Sequence, residues 1–216
     1  MAGQLRNFAM TSIENEDFDT AEQIWLGLAD EGETIAQVNL GSLYKLGHGR
    51  PRDAEKAAAW YGKAAIKGDP NAQYLLGMLY KDGNGITRNA TEALRLIRLS
   101  ANKGQVDAQT TLGAIYYNGQ LVTKNNLKAI EWWRKAAARG SSFSQLRLGF
   151  MYGRGDGVKQ NFVYAHMWTS LAANQGSNEA EKIKLQVEKI MTPDQITKAQ
   201  KLARECIAKE YNGCVR

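Results

Sequence analysis

Ser100 and Lys103 stand in a Ser-x-x-Lys spacing, the arrangement in which a lysine activates a serine for acyl transfer. The companion Ser-Asp-Asn and Lys-Thr-Gly triplets are absent, so the pair lacks the rest of that machinery. Asp82-Gly83-Asn84-Gly85 has the opening of a calcium loop, but the place of its bidentate glutamate is held by Ala93. Arg154-Gly155-Asp156 is the tripeptide of adhesion ligands. His48 and His166 are isolated in the sequence and read as a polar surface group or a packed imidazole rather than as bases. Cys206 and Cys214 do not have the spacing of a metal knuckle, and with two distant histidines they make a poor zinc set. No metal or cofactor is expected. The two thiols either stay free or close a small disulfide loop across a helix end and the Gly213 turn, worth about 2–3 kcal/mol and implying an oxidising compartment.

The elements that must position these groups recur. Gly41, Gly77, Gly113 and Gly149 are 36 residues apart, each preceded by Leu (Leu40, Leu76, Leu112, Leu148) and followed three residues later by Tyr (Tyr44, Tyr80, Tyr116, Tyr152). Gly32, Gly68, Gly104, Gly140 and Gly176 keep the same spacing. A period of this length marks a solenoid, in which each unit buries its apolar face only by stacking on neighbours. Within the first unit Ala36, Leu40, Leu43 and Tyr44 form one helical stripe. A glycine loop follows (Gly47-His48-Gly49 and its equivalents), broken at Gly119-Gln120-Leu121, where a differently shaped or strained turn is expected. The second helix opens on Asp53, Asn89, Asn125 or Asn161, all good N-caps, and ends at the Gly68 column. Inside it Trp60 recurs as Leu96, Trp132 and Trp168, and the small pair Ala64-Ala65 recurs as Ser100-Ala101, which makes Ser100 a packing residue as much as a nucleophile.

The fold expected is all-α, a right-handed α-solenoid superhelix of stacked antiparallel helix pairs. Residues 1–35 form a capping half-repeat, residues 36–71, 72–107, 108–143 and 144–179 four repeats, and residues 180–216 capping helices and a tail. Thr192 and Pro193 open the last helix as N-cap and N1. The formal charge of +6 divides unevenly, with a net −7 in residues 1–35 and +13 beyond. Lys and Arg are scattered without aromatic interleaving, so nucleic acid is not the expected partner. No apolar run is long enough for a membrane helix, and Met1 to Met10 lack the pattern of a signal peptide, a blank that a removed signal would also leave.

Stepping 100° per residue away from the core stripe predicts a concave face. It comprises Val38, Ser42 and Lys45, then Tyr74, Met78 and Lys81, then Thr110 and Tyr117, then Leu146 and Phe150, with Arg154 at the edge. Apolar residues on such a face suit a protein or peptide, and the basic ones suit acidic groups on it. Packing between successive first helices is the alternative use of the same side chains.

Ala36, Leu40-Gly41, Tyr44, Gly47-His48-Gly49, Lys56-Ala57, Trp60-Tyr61, Lys63-Ala64-Ala65 and Gly68 resemble the Sel-one-like repeat (SLR) pattern, a relative of the tetratricopeptide repeat, and the resemblance covers residues 36–176. Leu96-Ile97 and Thr169 depart from it. Asp17-Phe18-Asp19 with Ala21, Trp25, Leu28-Ala29 and Gly32 is similar to the half-repeat that opens many bacterial members. The Ala199–Cys206 helix and the Tyr211-Asn212-Gly213-Cys214 tail are similar to exported ones. The resemblance implies a non-enzymatic, monomeric adaptor for a protein or peptide, with no small-molecule substrate. With the cysteines it points to the periplasm or secretion, the cytoplasm being the alternative. A β-lactam or peptidoglycan hydrolase and a toxin-neutralising immunity protein are the other functions such a chain could have.

Overall fold

The computed structural model of the chain describes residues 2–48, 51–211 and 213–214. Gly49 of the first glycine loop and Asn212 of the tail lie outside the described residues. Among the described residues there are twelve helices and no strand, divided into two compact units, residues 1–105 and 106–216. The first unit holds α1 (Ala2–Glu14), α2 (Phe18–Asp30), α3 (Thr34–Leu46), α4 (Ala54–Ile66), α5 (Pro70–Asp82) and α6 (Ala90–Asn102). The second holds α7 (Val106–Asn118), α8 (Asn126–Ala137), α9 (Ser142–Arg154), α10 (Phe162–Asn174), α11 (Asn178–Glu188) and α12 (Pro193–Ala208). The leading segment therefore carries a helix more than a half-repeat, because α1 packs on α2 and buries Ala9 against it.

The second helix of each pair begins where a side chain can take up an orphan N–H. Asp53, Asn89, Asn125 and Asn161 accept from the N–H groups of Lys56, Glu92, Lys128 and Tyr164. Each of these caps also donates its own N–H to the carbonyl of the column tyrosine in the preceding helix, Tyr44, Tyr80, Tyr116 or Tyr152, at 2.8–2.9 Å. The loop is thus tied at both ends.

The Leu-Gly step brings the two helices of a pair together. A methyl group on Gly41 would lie 2.5 Å from Tyr61 Cε1, and one on Gly113 2.5 Å from Trp133 Cδ1. Gly77 and Gly149 face Ile97 and Thr169 in the same way. Tyr61, Ile97, Trp133 and Thr169, all fully buried, therefore fill the gap within each pair, and in the Trp60 column one position earlier Leu96 and Trp168 are buried as well. Trp60 and Trp132 are only half-buried, and each carries a lysine on its ring, Lys63 at 3.7 Å and Lys135 at 4.0 Å.

Pairs are stitched to one another by a glutamine. Gln37, Gln73 and Gln145 donate through Nε2 to the carbonyls of Ala29, Ala65 and Ala137 at 3.2–3.3 Å, across the turn between one pair and the next. In the first unit Lys67 and Lys103 also reach back 35 residues to the carbonyls of Gly32 and Gly68. The exceptional third loop keeps a left-handed backbone without glycine: Leu121 has φ 60°, close to the 82° and 74° of Gly85 and Gly157. At those two glycines a Cβ would strike Ala54 and Asn126, so the sites differ in the space around them rather than in the turn.

Candidate functional site

The side chains of the face expected to be concave differ in burial and in the contacts they make. Val38 packs against the cluster of Ala57, Tyr61 and Leu76. The Ser42 hydroxyl lies 3.1 Å from both the Val38 carbonyl and the Tyr61 hydroxyl. Thr110 meets the hydroxyls of Ser141 and Ser144 at 3.2 and 3.0 Å, joining α7 to the start of α9. Leu146 is only 4% exposed, buried with Ala172 and Ala180 beneath α10 and α11. Leu146 is thus buried with Ala180 of α11 and leaves the expected face, whereas Val38, Ser42 and Thr110 stay half-buried while making these contacts.

In the first unit Lys45 is exposed, and Tyr74, Met78 and Lys81 are half-buried. Lys81 Nζ pairs with Asp82 Oδ1 at 2.6 Å, which occupies the carboxylate that a calcium loop would need.

In the second unit the structure brings three of the expected residues into one place. Tyr117, Phe150 and Arg154 line a notch of about 100 Å³ with Trp133, Arg147 and Asp156. Each side chain is positioned by a local cause. Trp133 is held by its Nε1–H on the Thr110 carbonyl at 3.2 Å and supports the Tyr117 ring, 5.5 Å away between centroids. Phe150 projects from α9 one position beyond the Gly149 contact and stays half-buried. Arg147 and Arg154, one turn before and after it, set their guanidinium groups 5.8 and 5.6 Å from its ring centre. Arg154 ends the helix at the left-handed Gly155, φ 77°, so Asp156 returns to the notch rim. The Arg-Gly-Asp triplet is a helix end. The notch offers an aromatic floor, two guanidinium groups and one carboxylate, a net positive, partly apolar surface.

Ser100 is wholly buried, and its hydroxyl donates to the Pro70 carbonyl at 2.6 Å. Burial and that bond correct the acyl-transfer reading of Ser100: it packs α6 onto α5. His48 stacks on Phe18 with ring centres 4.8 Å apart. Cys206 and Cys214 are bonded, with Cα atoms 4.8 Å apart. Among the described residues no three His, Cys, Asp or Glu side chains converge on a metal position, and no helix is long and apolar enough to cross a membrane.

Sequence reasoning missed two things here. The glutamine stitch was visible as an Ala-Gln or Ser-Gln doublet at the repeat spacing (Ala36-Gln37, Ala72-Gln73, Ala108-Gln109, Ser144-Gln145), and passed over because glutamine usually faces water. His166 has partners that lie outside the repeat pattern, and no sequence signal pointed to them.

The family model of the Sel1 repeat matches the chain four times, at residues 34–69, 70–105, 106–141 and 142–177. No curated protein matches it. Among solved structures, a Sel1 repeat protein from Oxalobacter formigenes is 29% identical, with a TM-score of 0.75 over 83% of this chain and 74% of that one. The protective antigen c5321 of uropathogenic Escherichia coli, which displays an SLR fold, is 26% identical with a TM-score of 0.59, over 99% of this chain and 54% of its own. The immunity protein Pa5087 from Pseudomonas aeruginosa is 20% identical with a TM-score of 0.54, over 91% of this chain and 76% of its own, a likeness of fold alone.

Proposed function

The chain belongs to the Sel1 repeat family, an all-α repeat solenoid whose members generally mediate protein–protein interaction, and on that premise we propose that it is a non-enzymatic adaptor holding a protein or peptide at the Phe150 notch. One observation carries the reading: a half-exposed aromatic ring set between two guanidinium groups at a notch. Such a surface matches a partner segment with an apolar or aromatic side chain next to an acidic one. The ring takes the first, and Arg147 and Arg154 take the second. In the first unit Lys45, Tyr74, Met78 and Lys81 remain as a separate, lesser contact surface. The Cys206–Cys214 bond supports placing the protein in an oxidising compartment such as the bacterial envelope.

A peptide-display selection on the full chain tests this. Enriched peptides should pair an aromatic or apolar residue with Asp or Glu, and Phe150→Glu and Arg154→Glu should each weaken them by about tenfold or more, as interface anchors do. Arg95→Ala, on the exposed face of α6, should leave affinity unchanged. Peptides without acidic residues, or affinities indifferent to Phe150→Glu, would remove the notch as the binding site.

A further inference from the structure

A cleft of about 210 Å³ opens in the second unit where α10, α11 and α12 meet. Its inner wall is a hydrogen-bonded chain of three side chains. His166, 1% exposed, meets Glu188 Oε1 through Nε2 at 2.6 Å, and its Nδ1 lies 3.3 Å from Ser170 Oγ. The carboxylate accepts from Nε2–H, and Nδ1 and the Ser170 hydroxyl form the other hydrogen bond of the chain.

Serine, histidine and a carboxylate in this order also serve hydrolases. Here, however, Ser170 sits within α10, where the neighbouring backbone N–H groups are engaged with carbonyls one turn back. The helix around Ser170 therefore offers its own backbone donors to no oxyanion, and the cluster is read as a binding wall.

The opposite wall is cationic. Lys184 of α11 is steadied by Glu181 at 2.8 Å, and the exposed Arg204 of α12 carries no ion pair among the described residues. Two carboxylates stand near these two cations, Glu181 on Lys184 and Glu188 on His166, so among the described residues the Arg204 guanidinium is the cation of the lining left without an acidic partner. A guanidinium without an acidic partner at the rim of a polar cleft is a counter-charge for an anion. The amides of Asn174 and Gln200 also line the cleft, and Ala203 and Ile207 add apolar surface that a bare inorganic anion would leave unused, whereas a carboxylate on a short methylene stem uses both. The volume falls below the roughly 300–1,000 Å³ of sites for drug-sized ligands and suits a group the size of one side chain.

We propose that this cleft binds an organic carboxylate on a short aliphatic stem, supplied by a glutamate side chain of a partner or by a free dicarboxylate, with Arg204 as its main counter-charge. The site is separate from the Phe150 notch and stands or falls without it.

Calorimetric titration of the full chain with acetyl-Gly-Glu-Gly-amide, its glutamine counterpart, glutarate and inorganic phosphate tests the proposal. The glutamate peptide, glutarate or both should bind saturably, and phosphate and the glutamine peptide should bind at least about tenfold more weakly. Binding by the peptide alone identifies a partner's side chain as the source; binding of glutarate with equal strength identifies the free acid. Arg204→Gln, on the surface, should cut the affinity about tenfold without changing the melting temperature, Ser170→Ala should cut it less, and Phe150→Glu should leave it intact. Failure of both carboxylates to bind at millimolar concentration, phosphate binding as tightly as they do, or full affinity in Arg204→Gln would each overturn it.

Discussion

Replacing Gly113 by alanine sets two effects of opposite sign against each other, and the structure says which prevails. Alanine is favoured over glycine in a helix interior by about 1 kcal/mol. The added methyl, however, would sit 2.5 Å from both Cδ1 and Nε1 of Trp133, where carbon contacts normally settle near 3.5–4.0 Å. The indole must retreat by about 1 Å, and it cannot do so freely, because it is 1% exposed and bonded to the Thr110 carbonyl. Overpacking of this kind costs about 1–3 kcal/mol, and weakening the indole bond adds about 1 kcal/mol. The net expectation is a loss of about 1–3 kcal/mol, or roughly 2–10 °C in melting temperature for a chain of this size. Gly62 in α4 and Gly27 in α2 are the controls. Nothing lies within 4 Å of a Cβ at either, so Gly62→Ala and Gly27→Ala should stabilise by up to about 1 kcal/mol. Thermal melts followed by circular dichroism decide. A Gly113→Ala protein as stable as Gly62→Ala would refute the claim that the Leu-Gly step exists for close packing.

Two further outcomes concern the ends and caps. Reducing the Cys206–Cys214 bond, or replacing both cysteines by serine, should lower stability by about 2–3 kcal/mol, measured as a melting shift with and without reductant; equal melts would mean the closed loop constrains nothing. The Asp53 carboxylate is held below its ordinary pKa, chiefly by the Lys56 backbone N–H, so its contribution is present above the unfolded-state value and lost as pH falls through the lower folded one. Asp53→Asn, which copies the caps at positions 89, 125 and 161, should keep neutral-pH stability while flattening the acid limb below about pH 4 in a pH-resolved denaturant titration, and an unchanged acid limb would count against that linkage.

The periodic part of the fold was legible because repetition averages out local ambiguity. Four aligned copies turned Asn125 or Leu112 from a residue with a propensity into a column with a role, and the caps, turns and buried Ala36, Leu40 and Leu43 stripe follow those columns. The candidate site was legible in part. A 100° step places Phe150 and Tyr117 away from their own helix pair, with Arg154 at the edge, and the notch is lined by all three, but the same step ignores the neighbouring repeat. That neighbour is what engages Thr110 through Ser141 and Ser144. Leu146 was lost for the same reason, since α11 begins 36 residues after α9 in the place of a further first helix and its Ala180 packs with Leu146. The cluster at His166 is the extreme case: Glu188 stands 22 residues away on α11, at the place where the other first helices carry the column tyrosine.

The glutamine stitch divides the labour of the molecule. An amide that bonds a carbonyl carries no net charge, so neither acidity nor dissolved electrolyte alters the seams at Gln37, Gln73 and Gln145. The guanidinium groups of Arg147, Arg154 and Arg204 are shielded by the same electrolyte within about 8 Å at physiological strength. Raising the salt should therefore loosen the protein's hold on whatever it carries while the frame keeps its cohesion, which makes ionic strength a means of emptying the scaffold without dismantling it.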